Sequence, residues 1–111
     1  MGNKSRLRAF DRPEYSLSTH ALRVWHATQS KPARDMSKHE LVCRMASVAA
    51  VCDLLPGEVE IVRDVFSQSA RYVSTSQAIK NTAKRFDVSI DRVAGVVRGV
   101  LKRVTAEMDA V

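Results

Sequence analysis

Two helix-start signatures constrain this chain more than any other feature: Ser37 is followed three residues later by Glu40, and Ser74 by Gln77. In a capping box the hydroxyl accepts the backbone N–H three residues ahead, while the acid or amide side chain reaches back to the cap residue's own N–H. Two donors that a helix would leave orphaned are then satisfied together. Each signature opens a stretch with apolar residues at helical spacing. After Ser37 come Leu41, Val42, Met45, Val48, Ala49, Cys52 and Leu55, the set expected to face inward. Residues 45–52 are apolar apart from Ser47, which predicts a central helix covered on more than one side. Pro56 and Gly57 are expected to end it.

The remaining segments read as helices as well. Ser18 is a plausible N-cap for a short helix ending near Ser30, with Leu17, Ala21, Leu22, Val24, Trp25 and Thr28 on its apolar side and Trp25 as its core anchor. A helix from Glu58 to about Tyr72 should turn Val59, Val62, Val65, Phe66, Ser69 and Val73 inward, and its acidic first turn suits the positive helix end. Another spans Gln77 to Phe86. Ser89 can cap a last helix running to about Met108 through Val93, Val96, Val97, Val100, Leu101 and Val104. No alternating segment is long enough for a buried strand, so the fold expected is all-α, a small bundle of about five helices. A chain of 111 residues is one domain by length. Residues 1–15, polar and broken by Pro13, are expected to form a flexible basic N-terminal arm, and residues 16–111 a single helical domain.

Eighteen basic and twelve acidic residues give a net charge of +6. The distribution is more telling. Residues 1–34 hold seven basic and two acidic groups, residues 76–103 again seven and two, and residues 35–64 three and six. Two positive regions flank a negative middle, as expected if the ends approach a polyanion. No stretch has the 18 to 20 apolar residues, roughly, that a membrane span needs, and Lys4, Arg6 and Arg8 are followed by no apolar export segment. Ser5 is one place short of a myristoylation signal.

Cys43 and Cys52, nine apart on one predicted helix, point to opposite faces about 13.5 Å apart along the axis and cannot bond to each other. His39 stands alone near Cys43 in the sequence, so both cysteines read as core thiols, no metal or other cofactor is expected, and a reducing cytoplasmic compartment fits. His20 and His26 have no nucleophile or acid placed beside them, and there is no Gly-rich phosphate loop. These residues do not predict an enzyme.

The specific signal lies in residues 78–98. Two helices that cross closely through a tight turn need a small inner residue on the first, an apolar residue closing it, another in the turn, and two inside the second; Ala83, Phe86, Val88, Val93 and Val96 fill these places in order. Over about twenty residues the chain resembles the helix-turn-helix of Cro and related phage repressors, through Thr82-Ala83-Lys84, Phe86-Asp87-Val88 and Val93-x-x-Val96. In that family glycine commonly occupies the place of Asp87. Aspartate tolerates left-handed backbone better than most other residues. The resemblance implies that Ser89, Asp91, Arg92, Gly95 and Arg98 face a major groove, with Gln77 and Lys80 near backbone phosphates. Independently of it, Arg92 and Arg98 carry forks suited to guanine, and Lys84, Arg85, Lys102 and Arg103 suit general phosphate attraction. Gly95 would allow close approach to a groove wall or, with Gly99, to a second helix.

Two readings of this region stay open. In one the protein binds double-stranded DNA sequence-specifically as a small transcriptional regulator, as a homodimer joined through the far end of the last helix at Val100, Leu101, Val104 and Met108. In the other the basic face is simply solvated, and the bundle is an adaptor or structural protein whose partner is another protein.

Overall fold

The computed structural model describes residues 7–69, 71 and 73–110, and the side chains of all of these except residue 69. Among them are five α-helices and no strand: α1 (Ser16–Ala27), α2 (Lys38–Val51), α3 (Pro56–Ser69), α4 (Thr75–Phe86) and α5 (Ile90–Asp109). Short 3-10 turns at Ala9–Asp11, Pro13–Tyr15 and Ala33–Asp35 complete the described chain. Helix α2 lies between α1 and α5, α3 packs along α4, and α5, the longest, touches all four of the others. The core runs through Leu22, Trp25, Cys43, Val62, Val65, Phe66, Ile79, Val93, Val97, Leu101 and Val104, all buried.

The helix starts follow from local chemistry. At α2, Ser37 Oγ accepts the Glu40 N–H (3.1 Å), and Glu40 Oε1 accepts the Ser37 N–H (2.9 Å), so the capping box is complete. That backbone bond and the Lys31 ammonium beside it hold the Glu40 carboxyl below its ordinary pKa range. At α4, Ser74 Oγ accepts the Gln77 N–H (3.2 Å), but the Gln77 amide turns to Asn81 instead of back to the cap, so only half of that box forms. Helix α1 starts at Ser16, earlier than expected, because Ser18 is itself inside the helix: its hydroxyl donates to the Tyr15 carbonyl (3.2 Å). At the other end of α1, Arg44 of α2 donates to the Thr28 and Lys31 carbonyls, the cation that a helix C-terminus favours.

Three expectations are corrected. First, α2 buries Cys43, Ala46, Ser47, Ala50 and Val51, not the face predicted for it, and leaves Met45 67% and Val48 48% exposed. Small side chains on the inner face let α2 lie close between its neighbours, whereas an apolar stretch this uniform gives no contrast from which to read a face. Cys52, one of the two presumed core thiols, is therefore exposed. Second, Pro56 and Gly57 do not merely stop α2: they form the first turn of α3, where proline loses no hydrogen bond.

Third, the N-terminal arm is not loose over residues 7–15. Leu7 and Phe10 are buried in the common core, and Tyr15 packs against it with its ring centroid 6.1 Å from that of Phe10. Asp11 Oδ1 accepts the Thr75 N–H (3.0 Å) and Oδ2 the Ser76 hydroxyl (2.6 Å), so a carboxylate 64 residues upstream satisfies a further free donor at the start of α4. Residues 1–6 of the expected arm, the Ser69 side chain and Tyr72 lie outside the described residues.

These contacts generate a stability prediction. Phe10→Ala should destabilise the fold by about 3 kcal/mol or more, and Asp11→Ala by about 1 kcal/mol through loss of the cap, in urea unfolding followed by circular dichroism. A freely moving arm would give no change from either substitution.

Candidate nucleic-acid interface

Helix α4 is held by its buried side, where Thr75, Ala78, Ile79, Thr82 and Ala83 face inward. Its position on α3 is fixed by Asp64. That carboxylate accepts the Thr82 hydroxyl (2.6 Å), the Gln68 amide (3.0 Å) and the Arg85 guanidinium (2.7 Å). Gln68 in turn donates to Thr82 Oγ1 (3.1 Å) and accepts from the Asn81 amide (2.9 Å). A chain of polar groups thus joins two adjacent turns of α4, at Asn81 and Thr82 and at Arg85, to one helix.

Beyond Phe86 the chain turns sharply. Asp87 has φ 53° and ψ 48°, the one non-glycine residue with positive φ among the described residues. The Val88 N–H then donates back to the Ala83 carbonyl (3.0 Å), and the Ser89 hydroxyl accepts the Arg92 N–H (3.1 Å) to start α5. Ala83 and Val93 are buried where the helices meet, with Phe86, Val88 and Val96 packed around them. The small, closing, turn and inner residues therefore occupy the places that their spacing predicts for a helix, a tight turn and a second helix.

The ten candidate contact residues do not form one uniform surface. Gln77, Lys84, Arg85, Ser89, Asp91, Arg92, Gly95 and Lys102 are exposed, and Lys80 and Arg98 are half-buried. Ser89 is occupied as a cap and Gln77 bonds to Asn81 Oδ1 (3.0 Å). Arg85 is held by Asp64, although its side chain is 62% exposed. Arg98, expected to project outward, is corrected: its guanidinium carbon lies 5.3 Å from the centre of the buried Phe10 ring, a cation–π contact that folds the side chain back on the protein. Arg103 bonds to Glu107 (3.2 Å) and Asp53 (3.2 Å), and those carboxylates push its pKa further up. Among the described residues Lys80, Lys84, Arg92 and Lys102 have no carboxylate partner.

The apolar residues proposed for a dimer seam on the last helix are also corrected, because Val100, Leu101 and Val104 are buried in the protein's own core. Gly95 and Gly99 have nothing within 4 Å of where a Cβ would stand, so no contact inside the protein demands glycine there. They line an open groove with Val96 and Arg103, opposite Ala50, Leu54, Asp53 and Glu58.

A second cluster, of two imidazoles and a thiol, is not legible as a whole in the sequence. His39 is not alone beside Cys43: packing of α1 on α2 brings His20 Nε2 to 2.9 Å from His39 Nε2, which is 3.7 Å from Cys43 Sγ. The spacing of His39 and Cys43, four residues apart on one helix, was a readable signal; the approach of His20 was not. No protein-family model, no curated protein and no solved structure matches the chain.

The turn and the Asp64 anchor can be tested by stability. Asp87→Gly should leave stability within about 1 kcal/mol of wild type, whereas Asp87→Val should lose about 1 to 2 kcal/mol, because a branched residue resists left-handed backbone. Asp64→Ala should cost about 1 to 3 kcal/mol, chiefly by depriving the buried Thr82 hydroxyl of its acceptor. Equal thermal midpoints across these variants would contradict the turn and the anchor.

Proposed function

We propose that the protein is a sequence-specific double-stranded DNA-binding protein, a small transcriptional regulator that presents the front of α5 to the major groove. The observation that carries this reading is the left-handed turn at Asp87, which joins a firmly anchored α4 to a helix whose leading outer side carries the exposed Arg92 and Gly95. Arg92 is the base-reading side chain, since its fork has no carboxylate to satisfy it and matches guanine O6 and N7. Lys80, Lys84 and Lys102 are point charges suited to phosphates. Arg98, stacked on Phe10, supports the surface instead of reading bases. Gly95 leaves the helix surface low where a groove wall would come closest.

One such helix spans only a few base pairs, so a symmetric pair would be needed for a specific site. With the apolar side of α5 consumed by the core, a second copy could use the outer face of α2. There Met45 and Val48 are substantially exposed, as is Leu55 just beyond the helix end. The same face favours the alternative reading, a helical adaptor that binds another protein. No helix among the described residues is long and apolar enough to cross a membrane.

Fluorescence anisotropy with genome-selected and random duplexes over a salt series distinguishes the two. Arg92→Ala should cost about 1 to 3 kcal/mol on the selected site and relax discrimination at one base position. Lys102→Ala should weaken all duplexes alike and reduce the salt slope by about one. Gly95→Ala should raise stability by about 1 kcal/mol while weakening duplex binding. Wild-type binding by folded Arg92→Ala and Gly95→Ala proteins would reject the reading, as would no binding at low salt.

A further inference from the structure

We propose that His20, His39 and Cys43 form a binding site for a single zinc-class divalent cation that staples α1 to α2. The inference is independent of the DNA-binding reading, because the site lies on other helices.

The donor set is two imidazole nitrogens and one sulfur, a combination that favours zinc-class ions over magnesium or calcium. Bond lengths of about 2.05 Å to nitrogen and 2.3 Å to sulfur in a tetrahedron require donors about 3.4 Å apart for a nitrogen pair and 3.6 Å for nitrogen and sulfur. Here His20 Nε2 and His39 Nε2 are 2.9 Å apart, and His39 Nε2 and Cys43 Sγ 3.7 Å. All three donors lie within 4.8 Å of one another. The imidazole rings are stacked at 5.1 Å with 23° between their planes, and both histidines are exposed, so their side chains are free to rotate and turn the nitrogen lone pairs toward an ion. Cys43 is buried and holds the base of the site rigid, while the two histidines are exposed on its solvent side. Three protein ligands leave the fourth position to water or an outside ligand.

The proton balance is simple. Without metal, the short Nε2···Nε2 contact needs a proton on one of the two nitrogens. When the ion binds, that imidazole carries its proton on Nδ1 instead, and both remain neutral. Cys43 loses its thiol proton, so one Zn²⁺ enters and one proton leaves. Burial, with the Glu40 charge as a smaller contribution, raises the Cys43 pKa and opposes this step. Affinity should therefore rise with pH, about tenfold per pH unit while the free Cys43 thiol stays protonated.

The experiment is a titration of the full chain with Co²⁺ and with Zn²⁺ under a non-thiol reductant. One equivalent of Co²⁺ should produce a thiolate charge-transfer band in the near ultraviolet together with visible bands of a tetrahedral ion, and Zn²⁺ should displace it and raise the thermal midpoint. His20→Ala and His39→Ala change exposed residues and should each weaken binding by about tenfold or more, since even indirect partners of a metal matter that much. His26→Ala and Cys52→Ser should leave it unchanged. Because Cys43 is buried, Cys43→Ser may be read only if circular dichroism shows a folded protein, and the histidine variants decide the matter without it. No thiolate band in the wild type, or undiminished binding by folded His20→Ala and His39→Ala proteins, would overturn the site.

Discussion

The arrangement of the second half of this protein depends on one half-buried carboxylate. Asp64 accepts hydrogen bonds from Thr82 and Arg85 of α4, one turn apart, and from Gln68 one turn along its own helix. Apolar packing alone would let α4 slide or roll on α3, since dispersion and hydrophobic contact have little directional preference. A carboxylate with two directed donors from α4, backed by Gln68 on its own helix, fixes both register and rotation. Since α4 leads through a turn of only three residues, Asp87 to Ser89, into α5, the direction of the last helix is inherited from that anchor.

The same hydrogen bonding sorts the positive charge. Counted along the chain, residues 76–103 hold seven cations that look equivalent. In three dimensions Arg85, Arg98 and Arg103 are drawn into contacts with Asp64, Phe10 and the pair Asp53 and Glu107, while Arg92, Lys84 and Lys102 remain exposed and Lys80 half-buried. Arginine is the side chain most often recruited for such internal work, because its planar fork and flat face fit carboxylates and aromatic rings. Basic composition is therefore a poor measure of the charge that a surface can offer to a polyanion.

What was legible in the sequence was local. Caps at Ser37 and Ser89, the inward valines of α5 and the left-handed position at Asp87 depend on residues within a few places of one another and form as their spacing predicts, while the Ser74 box forms only by half. The face of α2 was misread because Met45, Val48 and Ala49 are as apolar as Ala46, Ala50 and Val51, so polarity carries no signal of which side is buried. The rest was illegible because it is made by distant residues. Nothing near Asp11 announces that it will cap Thr75, and nothing near His20 announces His39. For the candidate interface, the turn and the exposed Arg92 could be read, but the withdrawal of Arg98 onto Phe10 could not.

The seat of Phe10 and Asp11 against the last two helices has a consequence for the order of events in folding. The hairpin of α1 and α2 joins neighbouring segments and can assemble early, as can the pair α3 and α4. The N-terminal segment must wait. Its partners, Thr75, Ser76 and Arg98, leave the ribosome long after it does, and closing so long a loop carries an entropic cost that only the finished core offsets. During synthesis Leu7 and Phe10 therefore lack their final cover until nearly the whole helical bundle is available, a window in which two apolar side chains are open to misassociation.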